Sequence, residues 1–237
     1  MFAGHIGAAL AISRADRRVN VGVFVGAALL LDFVLWLLVL LGVESVVIPF
    51  NFASTHQPEF VFPYSHGLLA SVLWSGIAGA IAFFACWDRP ALKWRAAVLV
   101  AAAVFSHWLL DALVHRPEMP LTGGTSPMVG LALWDSLYVA LDVEALIVAA
   151  GLYLYVHGSG LSRSRSVALT VLTLVTLVFT VAGMTVAPPP PSALAMAGSS
   201  LVAIGVICAF FCWLGRNPRD GRAKPLQSWH SRDERQD

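Results

Sequence analysis

Charge is what this sequence has least of. Asp, Glu, Lys and Arg make up 12% of its 237 residues, against about 25% in an average soluble domain. With 58% hydrophobic residues and a mean hydropathy of +0.75, the chain has too little polar surface to coat a water-soluble globule. Cysteine is scarce too. Cys86, Cys208 and Cys212 all lie in apolar runs, which excludes a disulfide framework and the spacing of a zinc knuckle. The formal net charge is +1, with no basic face beyond the loops considered below, so nucleic acid is excluded as a partner. A cleavable signal peptide is not expected, because the charges of MFAGHIGAALAISRADRR follow its apolar stretch instead of preceding it.

Long apolar runs are abundant. A helix crossing ~30 Å of hydrocarbon needs about 20 apolar residues. Residues 20–43, 66–87, 96–114, 131–156, 167–187 and 192–214 each meet that requirement. Residues 1–12 are apolar but too short to cross, and read as a half-span or re-entrant helix. The expected fold is therefore all-α: a polytopic transmembrane helix bundle of about six spans plus a short N-terminal half-span. Residues 1–214 form its single transmembrane domain, with the polar positions confined to 1–156. Residues 167–214, with APPPP between the two runs, read as a hairpin that closes the bundle and shields those positions from lipid. Residues 215–237 contain almost nothing to bury and read as a disordered tail.

Loop charge sets the orientation. Arg14, Arg17 and Arg18, then Arg89, Lys93 and Arg95, then Arg163 and Arg165, then Arg216 and five further basic residues of the tail all fall on one side of the spans. That side holds 14 of the 15 Lys and Arg residues, and only Arg116 falls on the other. By the positive-inside rule these loops, and the carboxyl terminus, face the cytoplasm.

Functional information concentrates in the polar residues that interrupt the runs. Asp32 lies mid-span in LLLDFVL, His66 opens the second run in FPYSHGLLAS, and His107, Asp111 and His115 mark VFSHWLLDALVH. Asp135 opens the fourth run, and Asp142 and Glu144 lie within it. A carboxylate at the bilayer centre costs about 2.5–3.5 kcal/mol on insertion scales, so such groups must face one another, a cavity or a metal. His107, Asp111 and His115 are spaced by four and share one helix face. Counting helical rise from the ends of the spans brings Asp32 to the depth of His107, and His66 toward Asp111 and His115 from the opposite side. His5 reaches mid-depth if 1–12 is helical. Asp142 and Glu144 point about 200° apart, so only one faces inward. His56, His157 and His230 fall in loops or tail and read as solvated. Imidazoles and carboxylates gathered at one depth suit a divalent metal, Zn²⁺ or Mn²⁺, whose charge cancels theirs. A hydrogen-bonded polar core that merely joins helices is the plainer alternative.

The segments GHIGAAL, LLLDFVLWLLVLLGVESV, FVFPYSHGLLASVLWS, FSHWLLDALVHRPEMPL and VGLALWDSLYVALDVEALIVAAGLYLY occur in that order. Together they resemble a family of small bacterial integral membrane proteins related to the membrane-bound metal-dependent hydrolases, some of which carry the label permease. The resemblance covers roughly residues 1–156 and is strongest at SHWLLD and HRPEMPL. It implies functional positions at His5, Asp32, His66, His107, Asp111 and His115. Asp135 stands where the family has Asn, Glu118 where it has Asp, and Gly67 where it has Ser. The family's later acidic position falls on Glu144, which favours Glu144 over Asp142 as the inward residue. A second acid beside the first aspartate, and an HRG motif, both frequent in the hydrolase group, are absent here.

Two functions from different classes follow. In the first, a metal-dependent hydrolase of the bacterial plasma membrane acts on a lipid or lipid-linked substrate. His5, Asp32, His66, His107 and Asp111 then hold the metal, Glu144, Asp135 or His115 serves as acid or base, and Arg116 binds a headgroup phosphate. In the second, the same residues form the proton or ion path of a transporter, although no inverted repeat between the halves supports it.

Overall fold

The computed structural model describes residues 1–216. The expectations for the tail from residue 217 onward, and for His230, lie outside the described residues. The chain is an all-α membrane bundle. Helix α1 spans Phe2–Ser13, and a bent pair follows, α2 at Val21–Ala28 and α3 at Leu30–Leu40. After the one-turn helix α4 (Phe52–Thr55) come the long helices α5 (Leu68–Ala85), α6 (Pro90–Val114), α7 (Leu137–Val156), α8 (Arg163–Thr185) and α9 (Ala193–Leu214). The last five are each long and apolar enough to cross a membrane, and the bent pair makes a sixth span. Large apolar side chains such as Leu73, Ile81, Val98, Leu146, Val178 and Val202 point outward, as they do when lipid is the solvent and every backbone group is satisfied within a helix.

The first span is not the continuous helix expected over 20–43. It breaks at Leu29, whose backbone (φ −99°, ψ 5°) leaves the helical region, and the halves meet at 49°. Asn20 fixes its start, with Oδ1 accepting from Gly22 N–H at 2.8 Å and Nδ2 donating to Cys212 O at 3.0 Å. The fourth span, Leu133–Val156, opens with a 3-10 turn over Leu133–Ser136 ahead of α7, and Asp135 lies in that turn.

Helix α1 sits inside the bundle, against α7, α2, α6 and α8. The α1–α7 crossing is close enough that the backbones touch. A Cβ added at Gly7 would stand 2.7 Å from Ile147 O, and one added at Gly151 would collide with Gly7 O. Small residues let membrane helices approach in this way.

Basic residues cluster at one end. Arg18 holds the buried Asp16 carboxylate through Nε and a terminal nitrogen (3.0 and 2.6 Å), and Arg95 Nε at the start of α6 joins at 3.2 Å. Those guanidinium hydrogen bonds, Arg18's foremost, keep the Asp16 carboxyl below its ordinary value. At the opposite end, two short hairpins fold over the bundle, β1 (Ser45–Val47) with β2 (Glu59–Val61) and β3 (Met119–Pro120) with β4 (Met128–Val129).

The last two helices do not form a closed hairpin. α9 packs on α2 and α3, α8 packs on α1 and α7, and the two touch each other only slightly. The gap between them is part of the cavity described next.

Candidate metal centre

The clustered side chains come from four separate elements. Helix α6 places His107 and Asp111 one turn apart on its buried face. Asp32 lies in the first turn of α3, just past the break. His66 belongs to the turn ahead of α5, and its N–H is held by Phe62 O at 3.0 Å. His5 comes from α1. Three helices and a turn thus meet at one point, and His5, His66, His107 and Asp111 are buried.

The ligating atoms converge. His66 Nε2 and His107 Nε2 stand 3.1 Å apart. Asp111 Oδ2 lies 3.1 Å from His107 Nε2 and 3.4 Å from His66 Nε2. Asp32 Oδ1 lies 3.6 Å from His66 Nε2 and 3.7 Å from His107 Nε2. Ligands 2.0–2.1 Å from one tetrahedral ion stand about 3.3 Å from each other. The five distances, 3.1 to 3.7 Å, therefore match the edges of such a tetrahedron, and the residues fit a small divalent cation. His5 completes the surround. Its ring stacks on His107 (3.7 Å between centroids, 8° between planes), and its Nε2 lies 3.1 Å from Asp111 Oδ1. The Met1 nitrogen is 3.4 Å from the same oxygen. His5 Nδ1 is buried with no partner.

The outer hydrogen bonds decide which ring nitrogens are free. His107 Nδ1 faces the Ala28 carbonyl at 2.6 Å, and a carbonyl only accepts, so Nδ1 carries the proton. His66 Nδ1 faces Ser65 Oγ at 2.8 Å, and the single Ser65 hydroxyl proton goes to Glu44 Oε2 at 2.7 Å. Ser65 Oγ therefore accepts from His66 Nδ1–H. With one proton on each ring, both then turn bare Nε2 lone pairs toward the centre. Glu44 Oε1 is in turn held by the N–H groups of Tyr64 and Ser65, at 2.7 and 2.9 Å. Such carboxylate- or carbonyl-backed imidazoles orient metal ligands. Glu44 was not singled out from the sequence. Its signal was an acid flanked by apolar residues on both sides, in LLGVESVV.

The remaining sequence candidates separate. His115 leaves the helix in an extended conformation (φ −65°, ψ 148°), yet its Nε2 is 3.9 Å from Asp111 Oδ2. Its Nδ1 is 2.6 Å from Glu118 Oε1, and its main-chain oxygen is held by Ala132 N–H at 2.8 Å. Glu144 faces inward and Asp142 outward. Glu144 Oε1 accepts from Gly4 N–H at 2.9 Å, which puts a carboxylate at the positive N-terminal end of α1. It anchors the helix that carries His5 and does not line the cavity. Asp135 and Arg116, expected as an acid or base and as a phosphate ligand, are both exposed and paired with each other at 2.7 Å, outside the cavity. His56, expected to be solvated, is half-buried in the cavity wall with a left-handed backbone (φ 52°).

The cavity opens onto this cluster. It measures about 410 Å³, and Asp32, His66, Asp111 and His115 are among the residues that line it. Leu35, Trp36, Phe60, Phe62, Phe179 and Met184 make much of its wall. Side chains from α8 and α9 line its flank, so it reaches the gap between those helices. It lies toward the end of the bundle opposite the basic loops. No family model, curated protein or solved structure matches this chain.

Proposed function

We propose that the protein is a metal-dependent hydrolase of the bacterial plasma membrane that acts on a lipid or lipid-linked substrate, with its carboxyl terminus in the cytoplasm. The observation that carries this reading is the pair of bare Nε2 atoms on His66 and His107. They stand 3.1 Å apart with two carboxylates around them. Four acceptor atoms crowded together in a low-dielectric interior repel one another unless a cation joins them. Asp32, His66, His107 and Asp111 would hold a zinc or manganese ion, and His5 would orient Asp111 through its second oxygen. When bound, the ion supplies Lewis acidity at the end of the cavity.

The protein's own groups account for the rest of the chemistry. His115, with its Nδ1–H given to Glu118, presents Nε2 toward the same space and is the acid–base residue of this reading. The apolar wall excludes water from all but the polar end and accommodates a hydrocarbon chain. The transporter reading uses the same residues differently, with a single proton shared between His66 and His107 Nε2 as one step of a relay.

Elemental analysis of detergent-purified protein distinguishes the two. One equivalent of zinc or manganese per chain, lost in His107→Ala and retained in Asp142→Ala, is the expected result. Metal-free protein after metal-replete purification, together with proton-coupled flux in vesicles, would overturn the hydrolase in favour of the relay.

A further inference from the structure

Two arginines at the basic end crowd one point of the backbone. Arg14 and Arg17 belong to the connection between α1 and α2, and both lean on Gly158 in the connection between α7 and α8. A Cβ added at Gly158 would stand 2.5 Å from Arg14 Nε and would collide with a terminal nitrogen of Arg17. The two nitrogens therefore lie within about 5 Å of each other, where like charges repel unless an anion joins them. Among the described residues neither guanidinium has an ion pair. Asp16, the buried carboxylate at this end, is held by Arg18 and Arg95 instead. A cation at the C-terminal end of α1 complements the helix dipole, which accounts for one charge there and not for two side by side.

His157, the residue before Gly158, forms the end of an apolar groove of about 350 Å³ between α7 and α8. Ala149, Leu152 and Val156 of α7 and Leu174 and Leu177 of α8 line it. Along α7 it runs from Ala145 to His157, about 18 Å of helical rise. One leaflet of a ~30 Å hydrocarbon core is about 15 Å deep, so the groove has the length of an acyl chain from a single leaflet. The ring of His157 packs on Tyr153 with 4.1 Å between centroids. Both side chains are exposed, as amphipathic rings are at the level of lipid headgroups.

We infer that this end of the bundle holds one anionic phospholipid, with its phosphate between Arg14 and Arg17 over Gly158 and one acyl chain in the α7–α8 groove. Charge decides the class of lipid. Neighbouring guanidiniums grip a phosphate through paired N–H donors, and Arg163, exposed in the first turn of α8, adds positive charge at the same end. A zwitterionic headgroup brings an ammonium to a place already rich in cations, whereas a net-negative headgroup does not. Basic pockets between transmembrane helices hold anionic headgroups in this manner. The inference does not rest on the hydrolase reading. It gives Arg14, Arg17 and Gly158 one joint task, because the lipid ties the α1–α2 connection to the α7–α8 connection.

The test titrates the full chain in detergent with dioleoyl phosphatidylglycerol and with dioleoyl phosphatidylcholine, and reads bound lipid by native mass spectrometry. One phosphatidylglycerol per chain is expected. Its dissociation constant should lie about tenfold or more below that of phosphatidylcholine, since each basic residue beside an anionic headgroup contributes roughly fivefold. The preference is expected to vanish in Arg14→Gln/Arg17→Gln and to survive in Arg89→Gln/Lys93→Gln, which removes the same charge from the start of α6. Ala149→Trp, at an exposed position of the groove, is expected to weaken the phosphatidylglycerol complex about tenfold or more while the protein elutes as the wild type does. No preference for phosphatidylglycerol in the wild type, or equal losses in the two double variants, would overturn the site in favour of diffuse surface charge. Unchanged affinity in Ala149→Trp would overturn the groove as the seat of the acyl chain.

Discussion

His66 and His107 face each other through Nε2 atoms 3.1 Å apart, and each has its Nδ1 proton committed elsewhere, to Ser65 and to the Ala28 carbonyl. A neutral pair in that arrangement has no hydrogen bond to make. Either a metal ion bound by both rings or a proton shared between them relieves that contact, and metal occupancy is the quantity that separates the two.

Metal binding should require proton release. Both imidazoles must be neutral and both carboxylates ionised to bind, so protons compete for every ligand. Metal content measured by dialysis against buffered zinc is expected to be full near pH 8 and to fall as pH drops toward 5. Flat occupancy over that range would be inconsistent with His66, His107 and Asp111 as ligands.

Glu44 and Ser65 should tune the centre without touching it. Glu44→Gln or Ser65→Ala loosens the tautomer and orientation of His66, and the metal dissociation constant is expected to rise about 10–100-fold. The protein should still insert and elute as the wild type does. Unchanged affinity in both variants would mean that His66 is not a ligand.

The sequence made the centre legible to the extent that helical arithmetic applies. His107 and Asp111, four apart, share a face by periodicity alone, and counting rise brought Asp32 to the depth of His107, where the structure has their polar atoms 3.7 Å apart. That only one of Asp142 and Glu144 faces inward was legible in the same way; the choice of Glu144 came from the resemblance, and its partner, the Gly4 N–H, was not legible. Loops defeated the arithmetic. Nothing in the spacing of Arg116 and Asp135 says that a 3-10 turn closes one on the other, that His56 turns into a cavity wall, or that Glu44 reaches across 21 residues to Ser65. The break at Leu29 also had no proline or adjacent glycine to announce it.

The α8–α9 gap should discriminate by chain length. Ala203→Trp places a large side chain on the flank of the cavity. Turnover of a long-chain ester is expected to drop about tenfold or more, while a short acetate ester is spared, because only the long chain occupies the gap. Equal losses on both esters would place the chain elsewhere.

Asp16 gives the fold its own acid sensitivity at the basic end. Its folded pKa is lowered from 3.8, mainly by the Arg18 hydrogen bond. Its contribution is therefore fully present above the unfolded value and is lost as pH falls through the lowered one. Melting temperatures from pH 6 down to pH 2 are expected to fall less steeply at the acid end in Asp16→Asn than in the wild type, with a lower plateau above pH 5. Superimposable curves would assign the Asp16–Arg18–Arg95 cluster no role in stability.

Gly151 should be intolerant of any side chain. Gly151→Leu drives a side chain into the Gly7 backbone, and overpacking of this kind costs about 1–3 kcal/mol or more. The melting temperature in detergent is expected to fall, and metal occupancy with it, since α1 carries His5. A variant that melts as the wild type does would rule out the close α1–α7 crossing.

That crossing also sets a timetable. Helix α1 is too short to span the bilayer alone, and it is held by Gly151 and by Glu144, which caps it from 140 residues further along the chain. At a synthesis rate of about 5–20 residues per second, roughly 10–30 s separate the making of the two halves of this contact. The first helix made is thus among the last to dock, and until α7 arrives α1 lacks the Glu144 cap and the Gly151 contact that hold His5 in place. The His/Asp cluster is therefore held in its final form only after α7, the third of the long helices that follow the bent pair, has docked its partner, α1.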